Sequence, residues 1–275
     1  MTHLKIGAQL HTVRDYCLTR EGLFDALRRI RDMGYDGVEI ENVYKVAPAE
    51  EIADFLKEIG LSVCCTRSKN GRTLFDLDGM IREAKLYGTA YMGVGTAGCD
   101  NSIYGGPQAA ENFSALLTTV AEKAAENGLI AEYDLHSHEF LRDEENGLSY
   151  LRAPDLPFFA QKLLALTPEA SLHMVPDTWH VRLASLTVPE VLSMLKGRCD
   201  ILRFRDAKAT LNELDFYRAH LDPCECGEGL GDLGSWLPAL EDAGIKWLTL
   251  GQEFCTKDPF TCLDISLKNV RRILG

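Results

Sequence analysis

The run Arg20–Glu41, "REGLFDALRRIRDMGYDGVEIE", decides how the chain is to be read. Over residues 20–34, Leu23, Ala26, Leu27, Ile30 and Met33 recur at three- and four-residue steps, the spacing that lines one face of a helix. Gly34 follows the last of them, where a helix stops. "GVEIE" (37–41) then reads as a short strand. Helix, stop and strand make up one unit.

The unit recurs in both directions. Upstream lies the strand-like "LKIGAQL" (4–10). Downstream come "LSVCCTR" (61–67), "YMGVGT" (91–96), "IAEYDLH" (130–136), "SLHMVPD" (171–177), "ILRFRD" (201–206) and "WLTLGQE" (247–253), which makes eight strands. Helical stretches separate them. In "PAEEIADFLKEIG", Ile52, Phe55, Leu56 and Ile59 share a face and Gly60 ends it; "AAENFSALLTTVAEKAAENG", "VPEVLSMLKGR", "LGSWLPALEDAG" and "DISLKNVRRILG" behave likewise. Strands alternating with helices of this length pair in parallel through crossovers, which is the α/β class. Eight such units closing on themselves form a single (β/α)8 TIM barrel, expected as one domain over residues 1–275. The runner-up, a doubly wound open sheet, is weakened because no G-x-G-x-x-G follows the first strand.

Composition is that of a soluble protein, with 46% hydrophobic and 25% charged residues. A formal charge of -12 argues against nucleic acid as the main partner, since a phosphate backbone needs a basic surface. An anionic small molecule needs only a local pair of arginines. No basic segment followed by an apolar run opens the chain and no stretch has bilayer length, so no membrane partner is expected. Nine scattered cysteines in such a chain read as reduced thiols, hence a cytoplasmic protein, and Cys224-x-Cys226 lacks the spacing and second pair of a zinc site.

In this barrel, chemistry gathers at the carboxyl ends of the strands. Those ends carry Glu39, Glu41, Arg67, Asp134, His136, Asp177, Arg203, Asp206, Gln252 and Glu253. Period-two alternation puts Glu132, Asp134 and His136 on one face of strand five, and His173, Val175 and Asp177 on one face of strand six. A charge pointing at the apolar helix layer is costly unless paired, so Asp134, His136 and Asp177 are expected to face the barrel mouth.

"YDLHSHEF" (133–140) concentrates two histidines and two carboxylates; His136 and Glu139 are the proton-transfer candidates, with His138 beside them. Asp177 either acts in the mouth or caps the next helix, and His180 shares its loop. Arg67 and Arg203 suit a bidentate grip on phosphate or carboxylate, or else neutralise an acidic rim. His11, Glu39, Gln252 and Glu253 are placed to line a substrate pocket. Asp206 and Lys208 after strand seven read as substrate-binding or as an ion pair. Glu228 and the glycines of "CGEGLGD" read as a mobile loop or a plain turn. Trp179 and Trp236 suit either sugar stacking or packing. His3, His173 and His220 carry no signal.

Several segments in order resemble the xylose isomerase-like TIM barrels of the sugar phosphate isomerase/epimerase family. "IGAQLHTVRD" is similar to its opening strand and "GYDGVEIE" to its second unit. "YDLHSHEF" resembles its Tyr-His-Asn-His-x-x-Glu-Phe segment, "PDTWH" its Asp-Thr-x-His signature, and "RFRDAK" its His-Leu-Lys-Asp segment. "CGEGLGD" resembles its Gly-x-Gly loop and "GIKWLTLGQEF" its last strand. The resemblance implies a sugar or sugar-acid substrate, proton transfer between adjacent carbons, and a divalent ion such as Mn²⁺ or Zn²⁺ that polarises a substrate oxygen.

Carried across residue by residue, it implies Asp134 and Asp177 as metal ligands, with His180 beside Asp177. It also shows departures. Arg203 stands at a histidine ligand position, Gly251 at a glutamate ligand, and Arg67 replaces a histidine after strand three. Guanidinium cannot coordinate a cation, and glycine brings no side chain. The alternative is a metal-free mouth with Arg203 as its positive charge, paired with Asp134 or Asp177. Two functions stay open: an isomerase or epimerase, and a non-catalytic or metal-free sugar-binding protein. A metal-dependent abasic-site nuclease on this barrel is disfavoured by the acidic charge and too few clustered histidines. A homo-oligomer is left open.

Overall fold

A computed structural model describes residues 4–68, 72–95, 109–140, 142–144, 147–149, 159–195, 197–211 and 219–275. Eight parallel strands form the barrel: β1 (Lys5–Gln9), β2 (Gly37–Glu41), β3 (Ser62–Arg67), β4 (Tyr91–Val94), β5 (Ile130–Leu135), β6 (Leu172–Pro176), β7 (Ile201–Phe204) and β8 (Trp247–Leu250). They run in sequence from β6 back to β1, then to β8 and β7. A single parallel bridge between Asp177 and Arg203 brings β6 and β7 together and closes the ring. The expected (β/α)8 TIM barrel is what the chain forms.

Helices cover the outside: α1 (Arg20–Met33), α2 (Ala49–Ile59), α3 (Leu77–Leu86), α4 (Ala109–Glu126), α5 (Phe159–Leu166), α6 (Val188–Met194), α7 (Leu233–Ala243) and α8 (Pro259–Leu274). In α1 the hydroxyl of Thr19 accepts the Gly22 amide, and Gly34 ends the helix in the left-handed conformation at φ 95. Leu23, Ala26, Leu27 and Ile30 are fully buried, so the stripe read from the sequence is the face laid on the sheet. Each large aliphatic removed from water there contributes on the order of 2 kcal/mol.

Strand parity sorts the core into two. Outward-facing Ala8, Val38, Met92, Tyr133, Met174, Leu202 and Leu248 join the helices in the main cluster. A smaller cluster of Cys64, Cys65, Tyr91, Val175, Ile201 and Trp247 fills the interior. Between Val38 and Glu39 the register of β2 against β3 shifts, setting Glu39 opposite Cys65.

Two antiparallel ribbons follow the carboxyl ends of strands, Arg142–Glu144 with Gly147–Ser149 after β5, and Asp206–Leu211 with Ala219–Cys224 after β7. The expected strand over 201–206 is therefore shorter: β7 ends at Phe204, and Asp206 opens the ribbon. The eight described cysteines are free thiols, and Cys226 Sγ bonds the Phe204 carbonyl at 3.1 Å rather than joining Cys224 in a metal pair. Cys99 and His3 lie outside the described residues. Among the described residues, no helix is long and apolar enough to cross a membrane.

Candidate active site

Four charged side chains converge at the top of the lumen, one each from β2, β3, β5 and β7. Glu39, Arg67, Asp134 and Arg203 are all buried. Arg203 forks onto Glu39, with Nη2 to Oε1 at 2.7 Å and Nε to Oε2 at 3.2 Å, while its Nη1 lies 3.2 Å from Asp134 Oδ2. Arg67 completes the ring, its Nε 3.3 Å from Glu39 Oε2 and its Nη1 against Asp134 Oδ1. Two guanidiniums and two carboxylates alternate, so the charges balance. Burial pushes the Glu39 carboxyl up, but Arg203 and Arg67 outweigh it and hold the group at about 2.

This ring decides whether the ion implied by the family resemblance fits. It does not. Asp134 is already shared between two permanently protonated groups, and the position that the resemblance gives to a histidine ligand carries a guanidinium forked onto Glu39. At the glutamate position, a Cβ on Gly251 would meet Gln9 Oε1 at 2.6 Å and Gln9 Cβ at 2.8 Å. The Gln9 side chain fills the space a ligand there would need. Its Nε2 donates to the Thr249 carbonyl at 3.2 Å, and its Oε1 accepts from Arg205 Nε at 3.0 Å.

Arg205, which the sequence reading passed over, extends the charged ring toward the rim. Its Nε also lies 3.3 Å from Asp177 Oδ2, and its Nη1 is 3.0 Å from Glu253 Oε2. Glu253 in turn meets His11 Nε2 at 3.2 Å, and His11 Nδ1 is 3.1 Å from Glu41. The hydrogen bonds to Glu253 and then Glu41 raise His11 to about 9 against the effect of burial, so it is an imidazolium at neutral pH. A cleft of about 400 Å³ opens beside it, lined by His11, Arg14, Glu41, Asn42 and Leu18 among others.

Across the mouth, Asp177 caps the helical turn Thr178–Leu183, its Oδ1 accepting the Trp179 amide at 2.9 Å. Its Oδ2 faces Arg205 without hydrogen-bond geometry. The His136 and His180 rings lie 4.2 Å apart, each with a buried Nδ1 that has no hydrogen-bond partner. Burial pushes His136 down to about 2, with His180 and Arg203 adding to the effect, and lowers His180 as well. Both are neutral. The expectation that His136 titrates near neutrality is thereby corrected: a half-dry pocket beside guanidiniums disfavours its charged form.

Glu139 is fully buried and engaged. Its oxygens accept from Tyr133 Oη at 2.6 Å and from the His136 amide at 2.7 Å, and His138 Nε2 lies 2.8 Å away. It holds the turn after β5 rather than standing free to take a proton.

Asp206 is corrected in the same way. Its carboxylate accepts four backbone amides, from Ala207, Gly227, Gly229 and Gly231 at 2.8–3.0 Å, and so folds the "CGEGLGD" loop instead of facing a substrate. Lys208 pairs with Glu228 at 3.4 Å in the open. Gln252 is buried, its backbone N–H donating to Thr12 Oγ1 at 3.0 Å. Trp236 packs edge-on against Phe204 in the helix layer. Arg67 and Arg203, read as gripping an anionic substrate or else neutralising an acidic rim, lie against the carboxylates of Glu39 and Asp134.

Positions 134, 177 and 203 thus meet around one rim, with Gly251 under Gln9 on its far side. Gln9 and Arg205 are the site residues the sequence reading lacked. Strand parity could have found both, since Gln9 alternates inward with Gly7 and Arg205 with Arg203.

No family model matches the sequence, and no curated protein matches it. Solved structures do. A sugar phosphate isomerase/epimerase from Parabacteroides distasonis aligns over 97% of this chain and 93% of its own at a TM-score of 0.74 and 14% identity. The 3-keto-D-glucoside 4-epimerase of E. coli aligns over 98% and 99% at 0.68 and 16%. A xylose isomerase-like TIM barrel protein from Mycobacterium smegmatis, in complex with magnesium, aligns over 98% and 95% at 0.69 and 13%. The chain therefore shares its (β/α)8 TIM-barrel fold with these proteins.

Proposed function

We propose that the chain is an isomerase or epimerase acting on a small polyhydroxylated substrate, a sugar, sugar phosphate or sugar acid. It moves a proton between adjacent carbons with no ion in the mouth. The observation that carries this reading is a pair of buried ring nitrogens without a hydrogen-bond partner beyond the ends of β5 and β6, His136 Nδ1 and His180 Nδ1, beside Asp177 Oδ2, which faces Arg205 at 3.3 Å. Buried polar atoms cost free energy unless something bonds them, and a hydroxyl can both donate and accept.

Two neutral imidazoles on one wall suit vicinal hydroxyls. Asp177 is the carboxylate placed to take a carbon-bound proton. Arg205, 3.3 Å from it, puts positive charge beside the oxygen on which an enediolate would develop. Arg67 and Arg203 stay locked with Glu39 and Asp134 as the base of the mouth.

The test is solvent exchange. Ketoses and sugar acids are incubated with the protein in heavy water, and deuterium at the carbon next to the carbonyl is followed by NMR. Asp177→Asn is expected to slow exchange by about 10²–10⁴-fold while the same compound still shifts the melting temperature. Saturable binding without exchange by the unaltered chain would overturn the enzyme reading. It would leave a sugar-binding protein, which the fixed ion-pair ring at the mouth favours as the second reading.

A further inference from the structure

The end of the lumen opposite the mouth holds a cluster that the proposed reaction does not use. Glu132 on β5 and His173 on β6 are registered neighbours, and Asp200 immediately precedes β7. Glu132 is fully buried, and neither carboxylate oxygen has a hydrogen-bond partner. His173 Nδ1 lies 2.6 Å from Asp200 Oδ2, and Asp200 Oδ1 is 2.7 Å from Lys246 Nζ. One ligand atom from each of Glu132, His173 and Asp200 lies within 4.8 Å of the other two. Burial, and then Asp200, drive the Glu132 carboxyl well above the usual carboxylate range. A buried, partnerless carboxyl beside an imidazole and a second carboxylate is what a cation would satisfy.

We propose that Glu132, His173 and Asp200 form a divalent transition-metal site in the floor of the barrel. One imidazole nitrogen and two carboxylate oxygens are a donor set of the Zn²⁺ type, with a fourth position for water. Lys246, whose side chain is 60% exposed, swings into solvent as the ion takes over Asp200.

The position gives the ion a mechanical role. Among the described residues, the ladder joins β6 to β7 through one bridge, Asp177–Arg203, at the mouth. Near the floor the Met174 amide reaches the Arg198 carbonyl at 2.8 Å. An ion held by β5, β6 and the residue leading into β7 ties that seam from below. The site stands whether or not the mouth is catalytic.

Co²⁺ is the probe, added to the full chain after treatment with chelator. The expected result is a visible d–d absorption that saturates at one ion per chain. The melting temperature should rise by about 5–10 °C at roughly a hundredfold excess over Kd. Glu132→Gln replaces a partnerless buried carboxyl by a neutral group of the same shape, so it is expected to fold. It should lose the absorption and at least about tenfold in affinity, as should His173→Ala. His180→Ala, in the mouth, should keep both signals. Unchanged absorption and melting with Co²⁺ would overturn the proposal. So would a signal that survives Glu132→Gln and disappears in His180→Ala.

Discussion

Replacing Arg203 by methionine keeps most of the side-chain volume and removes the charge that two buried carboxylates share. The folded chain holds Glu39 at about 2 against an ordinary 4.5, and at about 1.4 kcal/mol per pH unit that difference corresponds to roughly 3 kcal/mol. Arg203 supplies the two hydrogen bonds that fork onto Glu39 and the contact to Asp134, with Arg67 remaining as the other guanidinium. Removing one partner of a buried pair costs about 3–5 kcal/mol, a large part of the roughly 5–15 kcal/mol that keeps a domain folded.

In urea, with a slope of about 3 kcal/mol per molar, Arg203→Met should therefore lower the midpoint by about 1 M or more. Adding Glu39→Gln to it removes the stranded charge, and the pair should lose less than the sum of the two by about 1–3 kcal/mol. Because the Glu39 pKa is lower folded than unfolded, its contribution is complete above about 4.5 and disappears as the pH falls toward about 2. The gap between the unaltered chain and Arg203→Met should close over that window. A single variant within experimental error of the parent at pH 7, or strict additivity of the pair, would show that the ring does not couple these groups.

His11 carries a folded pKa of about 9 above its usual 6.5. The stability it contributes is whole below 6.5 and should be lost as the pH rises through 9, a fall in melting temperature that His11→Gln should abolish. Arg203→His with Gly251→Glu should add no Mn²⁺ binding over that of the parent chain by calorimetry, whereas adding Gln9→Ala should create a further measurable site. Equal binding by both would mean that Gln9 does not occupy the glutamate position. Asp206→Ala strips four amides of their acceptor and should destabilise the chain by about 3 kcal/mol or more. Limited proteolysis should then cut first within residues 227–231, and an unaltered cleavage pattern would count against Asp206 as organiser of that loop.

Fold-level features were legible in the sequence because they depend on short-range periodicity. The stripe of Leu23, Ala26, Leu27 and Ile30 is the buried face of α1, and Gly34 takes the left-handed φ its place after the helix requires. Parity on β5 likewise put Asp134 inside, and of the two partners left open for Arg203 it is Asp134 whose Oδ2 lies 3.2 Å from the guanidinium. Partner choice was not legible. That Glu139 would be claimed by Tyr133 and the His136 amide depends on how the turn after β5 folds back. That Asp206 would gather a glycine loop twenty residues onward depends on ribbon geometry. Parity also set Glu132 and His173 on inward faces, but Asp200 joins them only through the register of β7 against β8, where Lys246 and Trp247 donate to its carbonyl. Hydrogen bonds between strands far apart in the chain are fixed by register, and no local window of sequence contains it.

Charge delivered by arginine is inherited with the gene, whereas a bound ion is borrowed from the surroundings. Arg67 and Arg203 cannot be stripped by a chelator, displaced by a competing metal or starved by a poor diet of trace elements. Whatever the supply outside, the field at the barrel's upper end is the same in every copy from the moment it folds.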